Sequence, residues 1–167
     1  MADSSKVTQQ VKHVLKEFQI GDLEKCKGAN FLQAIGLMVA TEFLGGVITG
    51  KLGLDGQSEC RFEEGFKYLG AKYEDILTKN KHTVMDVYKN VRCGLVHQYL
   101  PTKTEGVFGG QNQQTGIMEV NGQFRIIPEN YIRDLDAAVD RLLKELDTKP
   151  ELLRLAQKAL SQIPALV

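Results

Sequence analysis

The 167-residue chain is long enough for one domain with a continuous hydrophobic core. Its 21 basic and 21 acidic residues cancel, which argues against a polybasic coat for nucleic acids and against a protein that binds anionic membranes through excess positive charge. The three cysteines are far apart and form no C-x-x-C pair. This pattern favours reduced thiols in a cytosol over a disulfide framework or a zinc site.

The most apolar stretch, from Phe31 to Ile48, predicts a buried core helix rather than a membrane span. It is short for a span, it contains Glu42 and several glycines, and no basic cluster flanks it. The N-terminus lacks the apolar segment of a signal peptide. We therefore expect a soluble, cytoplasmic protein that does not enter a membrane.

Apolar residues at helical spacing predict a mainly α-helical protein of five to six helices. The predicted helices are, in chain order, Lys6–Ile20, Phe31 to about Phe43, Glu59–Leu77, Thr83 to about Tyr99, Pro128 to about Leu146, and a short helix from Pro150 to about Ile163. We expect Gly21 to end the first helix, Asn30 and Thr83 to cap the second and fourth, and the glycines from Gly45 onward to open a loop.

Between the fourth and fifth helices the apolar period changes from helical to alternating. Ile117–Val120 and Gln123–Ile127 flank Asn121-Gly122, a pair typical of a two-residue β-turn, and so predict a β-hairpin. The preceding segment, Gly106 to Gln114, is predicted to be a flexible loop. With no repeat and no linker in the sequence, residues 1–167 are predicted to form one helical domain with the hairpin inserted at about 115–128.

The segment near the end of the fourth predicted helix carries the clearest functional pattern. Arg92 is followed after four residues by His97 and then, after one more, by Tyr99. This order resembles the R-x4-H-x-Y motif of HEPN domains, a helical family that includes toxin ribonucleases of bacterial and archaeal defence systems. The resemblance covers the helical plan of most of the chain. One departure is Cys93, since catalytic members often carry a polar residue directly after the arginine.

The resemblance implies a HEPN-like helical bundle that works as a homodimer with its motif helices facing each other. It also implies that the chain acts on RNA as a metal-independent endoribonuclease, with a nucleotidyltransferase-like antitoxin as a possible partner in a toxin–antitoxin or defence system. The alternative is a catalytically inactive HEPN-like dimer with a binding or regulatory role. A third possibility is a small-ligand binder with an apolar pocket between the second and fourth predicted helices.

The chemistry of the three side chains fits cleavage of RNA by its own 2′-hydroxyl. His97 could transfer a proton near neutral pH, since imidazole titrates there, and the guanidinium of Arg92 could stabilise charge on the phosphoryl oxygens. Tyr99 could bind a phosphate oxygen or orient a base. The alternative is structural, because Arg92 and His97 also favour the partial negative charge at a helix C-terminus, and Tyr99 could anchor that end. We predict no metal ligands and no cofactor.

The angular spacing of the motif bears on how it would work. On an ideal helix, positions 92 and 97 lie about 140° apart, while positions 92 and 99 nearly align. A straight helix therefore does not direct Arg92 and His97 at one atom. Either the helix loosens at Gly94, or two copies combine their residues across a dimer cleft; the HEPN resemblance implies the second arrangement.

Glu42 is the only charged residue between Phe31 and Gly50, and it lies on the most apolar stripe of the sequence. A carboxylate in such a place requires a cation or a proton. We expect Arg92 to be the partner and Glu42 to support the site. The alternative is that the helix ends just before Glu42 and leaves it in water.

Overall fold

The computed structural model describes residues 4–98, 104–107, 114–120 and 123–163. Seven helices and three strands lie in these ranges. Helix α1 covers 4–25 as three consecutive segments, Ser4–Lys12, His13–Ile20 and Gly21–Lys25, and α5 covers 84–98 as Val84–Val87, Tyr88–Cys93 and Gly94–Gln98. The other elements are α2 (Asn30–Thr49), α3 (Ser58–Tyr68), α4 (Ala71–Lys79), β1 (Thr104–Val107), β2 (Ile117–Val120), β3 (Gln123–Ile126), α6 (Pro128–Thr148) and α7 (Pro150–Ser161).

The predicted ends of the first two helices are wrong, because glycine does not interrupt either helix. Gly21 adopts right-handed helical angles, and α1 continues to Lys25, which places Leu23 in the core. Helix α2 begins at Asn30 itself and runs through Gly45 and Gly46 to Thr49. It ends at Gly50, whose φ of 71° is the left-handed conformation that glycine adopts readily at a helix C-terminus.

Gly45 lies inside α2 because α3 packs against it at very short range. A Cβ atom on Gly45 would overlap the carbonyl oxygen of Arg61, and a Cβ atom on Gly65 would overlap the carbonyl oxygen of Thr41. The two backbones therefore touch where the sequence pattern predicts a loop. This contact brings the side chains of α3 next to those of α2.

The third predicted helix, Glu59–Leu77, is two helices, so the expected five to six helices become seven. Gly70 separates α3 from α4 with a φ of 121° and a ψ of 161°, which lie outside the helical region and are rarely adopted by other residues. The break turns α4 so that both Phe66 and Tyr73 are buried.

Helix α5 begins at the predicted cap. Thr83 accepts a hydrogen bond from the backbone N–H of Asp86, and the Asp86 carboxylate accepts one from the backbone N–H of Thr83, at 2.7 Å. The middle segment, Tyr88–Cys93, is π-helical, and Gly94 returns the chain to α-helix with a φ of −58° and a ψ of −50°. Gly94 itself therefore has helical geometry, and the departure from a straight α-helix lies directly before it, in the π-helical segment Tyr88–Cys93.

The predicted hairpin is confirmed, with β2 and β3 antiparallel and Ile117 opposite Ile126. The predicted turn, Asn121-Gly122, lies outside the described residues. The sheet has a third strand that the sequence pattern did not indicate: β1 pairs in parallel with β3, in the order β1-β3-β2. The flexible loop predicted from Gly106 onward is therefore wrong for residues 106 and 107, which belong to β1.

Helix α2 lies at the centre of one hydrophobic core that contains residues from α1 to α7 and from the sheet. By length and composition it is the one helix among the described residues that could cross a membrane, but 61% of its most apolar window is buried in the protein. That degree of burial is typical of a core helix. Helices α6 and α7 cover its flank with amphipathic faces, and each begins with a proline at its first position.

Candidate functional site

Glu42 of α2 and Arg92 of α5 form an ion pair. Nη2 of Arg92 lies 2.6 Å from Oε2 of Glu42, and Nε of Arg92 donates to the same oxygen at 2.9 Å. The side chains of Glu42 and Arg92 are only 10% and 14% exposed. Charge-assisted hydrogen bonds of this kind, largely shielded from water, hold the guanidinium in one orientation. The alternative of a solvent-exposed Glu42 is excluded.

Arg61 of α3 is a second partner of Glu42 that the sequence analysis missed. Its Nη2 lies 2.8 Å from Oε1 of Glu42, and its side chain is 13% exposed. Nη1 of Arg61 also donates to three backbone carbonyls in the segment that joins α2 to α3, those of Lys51, Leu52 and Leu54. Arg61 thus fixes this segment as well as one oxygen of the carboxylate. We call Glu42, Arg61 and Arg92 together the Glu42 cluster.

The position of Arg61 follows from the glycine contact between α2 and α3. Arg61 and Gly65 are four residues apart, so they share one face of α3, and Gly65 lies directly against α2. The same face therefore turns Arg61 toward Glu42. The sequence signal for this arrangement was the glycine pair Gly45 and Gly65, but the sequence pattern predicts a loop from Gly45 onward and so does not indicate a close helix contact.

Electrostatics within the Glu42 cluster keep Arg92 charged. Partial burial acts to lower the pKa of Arg92, but the Glu42 carboxylate more than offsets this effect, and the pKa lies above its ordinary value. The ring of Tyr88 lies 5.4 Å from the guanidinium carbon of Arg92, a cation–π distance. Burial raises the pKa of the Tyr88 hydroxyl, and the adjacent Cys93 side chain acts in the same direction.

The Glu42 cluster forms the charged base of an open depression between α2, α3 and α5. The depression has a volume of about 210 Å³. Its other lining residues among those described are apolar: Val39, Phe43, Leu52 and Ile163. Val39, at the rim, is 44% exposed.

His97 is exposed and does not line the depression, whereas Arg92 does. Of these two predicted site residues, one copy of the chain therefore places only Arg92 at the depression. Tyr99, the third residue of the motif, lies outside the described residues. Val96, directly before His97, is 40% exposed.

A second buried charged group stabilises the start of the hairpin. The hydroxyl of Tyr73 donates to Asp134 at 2.8 Å, and Lys72 and Arg133 each reach the same carboxylate at 2.9 Å. Tyr73 also accepts a hydrogen bond from the backbone N–H of Gly116, which ties β2 to α4 and α6. Each polar group around Asp134 has a protein partner, so we assign these residues a structural role. Among the described residues, no three His, Cys, Asp or Glu side chains converge as a metal site would require.

No family model matches the chain, and comparisons with characterised proteins and with solved structures find no match.

Proposed function

We propose that the chain is a HEPN-type protein that acts on RNA as a homodimer in the cytoplasm, as a metal-independent endoribonuclease of a toxin–antitoxin or defence system. The observation that carries the proposal is the placement of the two motif residues. Arg92 is oriented by Glu42 at the base of an open depression, while His97 is exposed on the same helix. A nucleotidyltransferase-like antitoxin is the partner that this proposal predicts.

In the proposed reaction, the 2′-hydroxyl of the RNA attacks the adjacent phosphorus, and the bond to the 5′-oxygen of the next nucleotide breaks. His97 would exchange a proton with the attacking or leaving oxygen, and Arg92 would stabilise the negative charge on the phosphoryl oxygens. Glu42 would serve as a positioning residue for Arg92. Tyr99 would bind a phosphate oxygen or orient a base.

The homodimer supplies what one copy lacks. In one copy Arg92 lines the depression and His97 does not, and a second copy facing the first could bring its own His97 toward Arg92. An exposed apolar side chain beside His97 supports such an interface, since Val96 is 40% exposed.

The rival function is a catalytically inactive dimer with a binding or regulatory role. The observation that favours this function is that the guanidinium of Arg92 is already hydrogen-bonded within the protein. Two nitrogens of its guanidinium donate to Glu42, and Cys93 stands where catalytic relatives carry a polar residue. In this reading the Glu42 cluster stabilises the dimer platform and RNA is bound without being cut.

Cleavage of a mixed-sequence RNA by wild type, His97→Ala and His13→Ala separates the two functions. His13 is also an exposed histidine, so it is a matched control. We expect wild type and His13→Ala to cut RNA equally with EDTA present, and His97→Ala to be inactive with a stability change within about 0.5 kcal/mol. Light scattering should give a dimer at micromolar concentration. Uncut RNA with the wild-type dimer would favour the rival, and magnesium-dependent cleavage would refute the mechanism.

A further inference from the structure

The Glu42 cluster carries one positive charge more than its single carboxylate neutralises. Glu42 gives one oxygen to each arginine, at 2.8 Å to Arg61 and 2.6 Å to Arg92, so both of its oxygens are engaged. The three side chains are only 10–14% exposed, and an unbalanced charge in such a place is costly without a counter-ion. Among the described residues that line the depression, Glu42 is the one acid.

The two arginines differ in how much of their positive charge is already balanced by hydrogen-bond acceptors of the protein. Arg61 is surrounded by acceptors: the carboxylate, three backbone carbonyls, and the hydroxyl of Ser58 at 2.9 Å. Arg92 donates to Glu42 through Nε and Nη2, and one face of its guanidinium carbon lies 5.4 Å from the ring of Tyr88. The positive potential at the base of the depression therefore arises mainly at Arg92.

The residues around this charged base are apolar, so a ligand that fills the depression should have an apolar body beside its charged group. Phe43 and Leu52 are half-buried, and Val39 forms an exposed part of the rim. A volume of about 210 Å³ is smaller than the roughly 300–1,000 Å³ of pockets for drug-sized molecules. It suits a single ring or a short branched chain.

We propose that this depression is a binding site for a small organic anion, a carboxylate or phosphate group on an apolar body of about one ring. The anionic group would take up the excess positive charge at Arg92, and the body would cover Phe43 and Leu52. The residues that line the site come from one copy and do not include its His97, so anion binding goes beyond RNA cleavage and does not require it. Bound at Arg92, such an anion would compete with RNA and so regulate the proposed ribonuclease.

Phenyl phosphate is the test ligand, with phenol as the neutral match and inorganic phosphate as the anion without a body. Titration of the wild-type protein, followed by amide chemical shifts, should show saturable binding of phenyl phosphate at residues 39–43, 52 and 92. We expect phenol and inorganic phosphate to bind at least about tenfold more weakly, as expected when a charge-assisted hydrogen bond or an apolar contact is missing. Benzoate distinguishes the sources: equal binding indicates organic anions in general, and weaker binding indicates phosphate esters, and both results support the site.

Variants locate the binding and separate it from folding. Arg92→Gln should weaken binding of phenyl phosphate about tenfold or more, while Arg154→Gln, at an exposed arginine, should leave it unchanged. Val39→Asp places a negative charge at the exposed rim and should also weaken binding. Leu32→Asp is its control, two helical turns away on the exposed surface of α2.

The proposal is overturned if phenol binds as well as phenyl phosphate, or if Val39→Asp and Leu32→Asp affect binding equally. If Arg92→Gln fails to fold, the comparison of Val39→Asp with Leu32→Asp still tests whether the ligand binds at the depression. Binding of phenyl phosphate is measured without RNA, so it is expected whether or not the wild-type protein cuts RNA. Failure of the proposed ribonuclease and failure of this site are therefore distinguishable.

Discussion

Replacement of Glu42 by glutamine should destabilise the protein more than replacement of Arg92 by glutamine. Glutamine keeps the shape of the side chain but removes the negative charge, so two mostly buried arginines would face each other with a net charge of +2 instead of +1. Arg92→Gln, in contrast, leaves Glu42 paired with Arg61. The structure therefore predicts an order of effects that a simple two-residue ion pair would not give.

The expected size follows from the number of ion pairs lost. Charges about 4 Å apart attract by about 4 kcal/mol at an effective dielectric constant of about 20, and desolvation of the charges offsets much of this. Removing one partner of a buried pair typically costs about 3–5 kcal/mol. Because the side chains keep 10–14% exposure and Arg61 retains its carbonyl acceptors, we expect values below that range for the smaller change. Our estimates are about 3 kcal/mol for Glu42→Gln and about 1–2 kcal/mol for Arg92→Gln.

Urea denaturation of wild type, the two single variants and the double variant measures these free energies of unfolding. The double variant should be more stable than the sum of the single effects predicts, by about 1 kcal/mol or more, because removal of Arg92 relieves the repulsion that Glu42→Gln creates. Glu151→Gln, which breaks an exposed pair with Arg154, is the control and should change stability by less than about 0.5 kcal/mol. A Glu42→Gln protein as stable as this control, or strictly additive effects, would refute the reasoning.

Three further measurements address the fold. Gly65→Ala should lower the free energy of unfolding by about 3 kcal/mol, and with it the midpoint of urea denaturation, because its Cβ would overlap the carbonyl of Thr41. An unchanged midpoint would exclude the close contact. Gly70→Ala should cost about 1 kcal/mol or more through its φ of 121°, although no atom lies near the added Cβ, and stability equal to wild type would show that the break between α3 and α4 is not needed. Burial, with Glu145 as a hydrogen-bond acceptor, raises the pKa of Tyr68 to about 12. The folded protein thus holds this proton more tightly than the unfolded chain, whose tyrosines titrate near 10. The associated stability is complete below pH 10 and is lost as the pH rises toward 12, and Tyr68→Phe should flatten that part of the curve of unfolding free energy against pH.

The helical plan was predictable from sequence because most helices carry a clear apolar stripe and recognisable ends. Two local signals of helix ends are present in the structure. Thr83 and Asp86 form a capping box at the start of α5, and a proline begins each of α6 and α7. The hairpin was predictable for the same reason, since its pattern is contained in about ten residues.

Glycine accounts for the principal errors, because one residue type has three different uses in this chain. Gly21 and Gly45 lie inside helices, Gly70 breaks one, and Gly50 ends one. Which use applies depends on tertiary packing, such as the contact of α2 with α3, and no local pattern contains that information. The parallel pairing of β1 with β3 is equally non-local.

The candidate site was predictable in part. The isolation of Glu42 on an apolar stripe led to Arg92, since a buried carboxylate requires a partner. Arg61 was missed because its link to Glu42 depends on the distance between two helices rather than on a spacing along one. The separation of Arg92 from His97 is consistent with their angular spacing, although the π-helical segment Tyr88–Cys93 alters the geometry of the ideal helix on which that spacing was calculated.

The close contact between Gly45 and Gly65 also has a consequence for how this sequence can vary. At these two positions the obstacle is volume, so every side chain larger than hydrogen should be rejected in a saturation library selected for folding. At Gly28 and Gly56 the obstacle is the positive φ alone, with open space around the added Cβ, so asparagine and aspartate should survive selection there. The two classes of glycine should therefore give different spectra of accepted residues. Since Arg61 shares a face of α3 with Gly65, homologues that keep the Glu42 cluster should also keep glycine at 45 and 65.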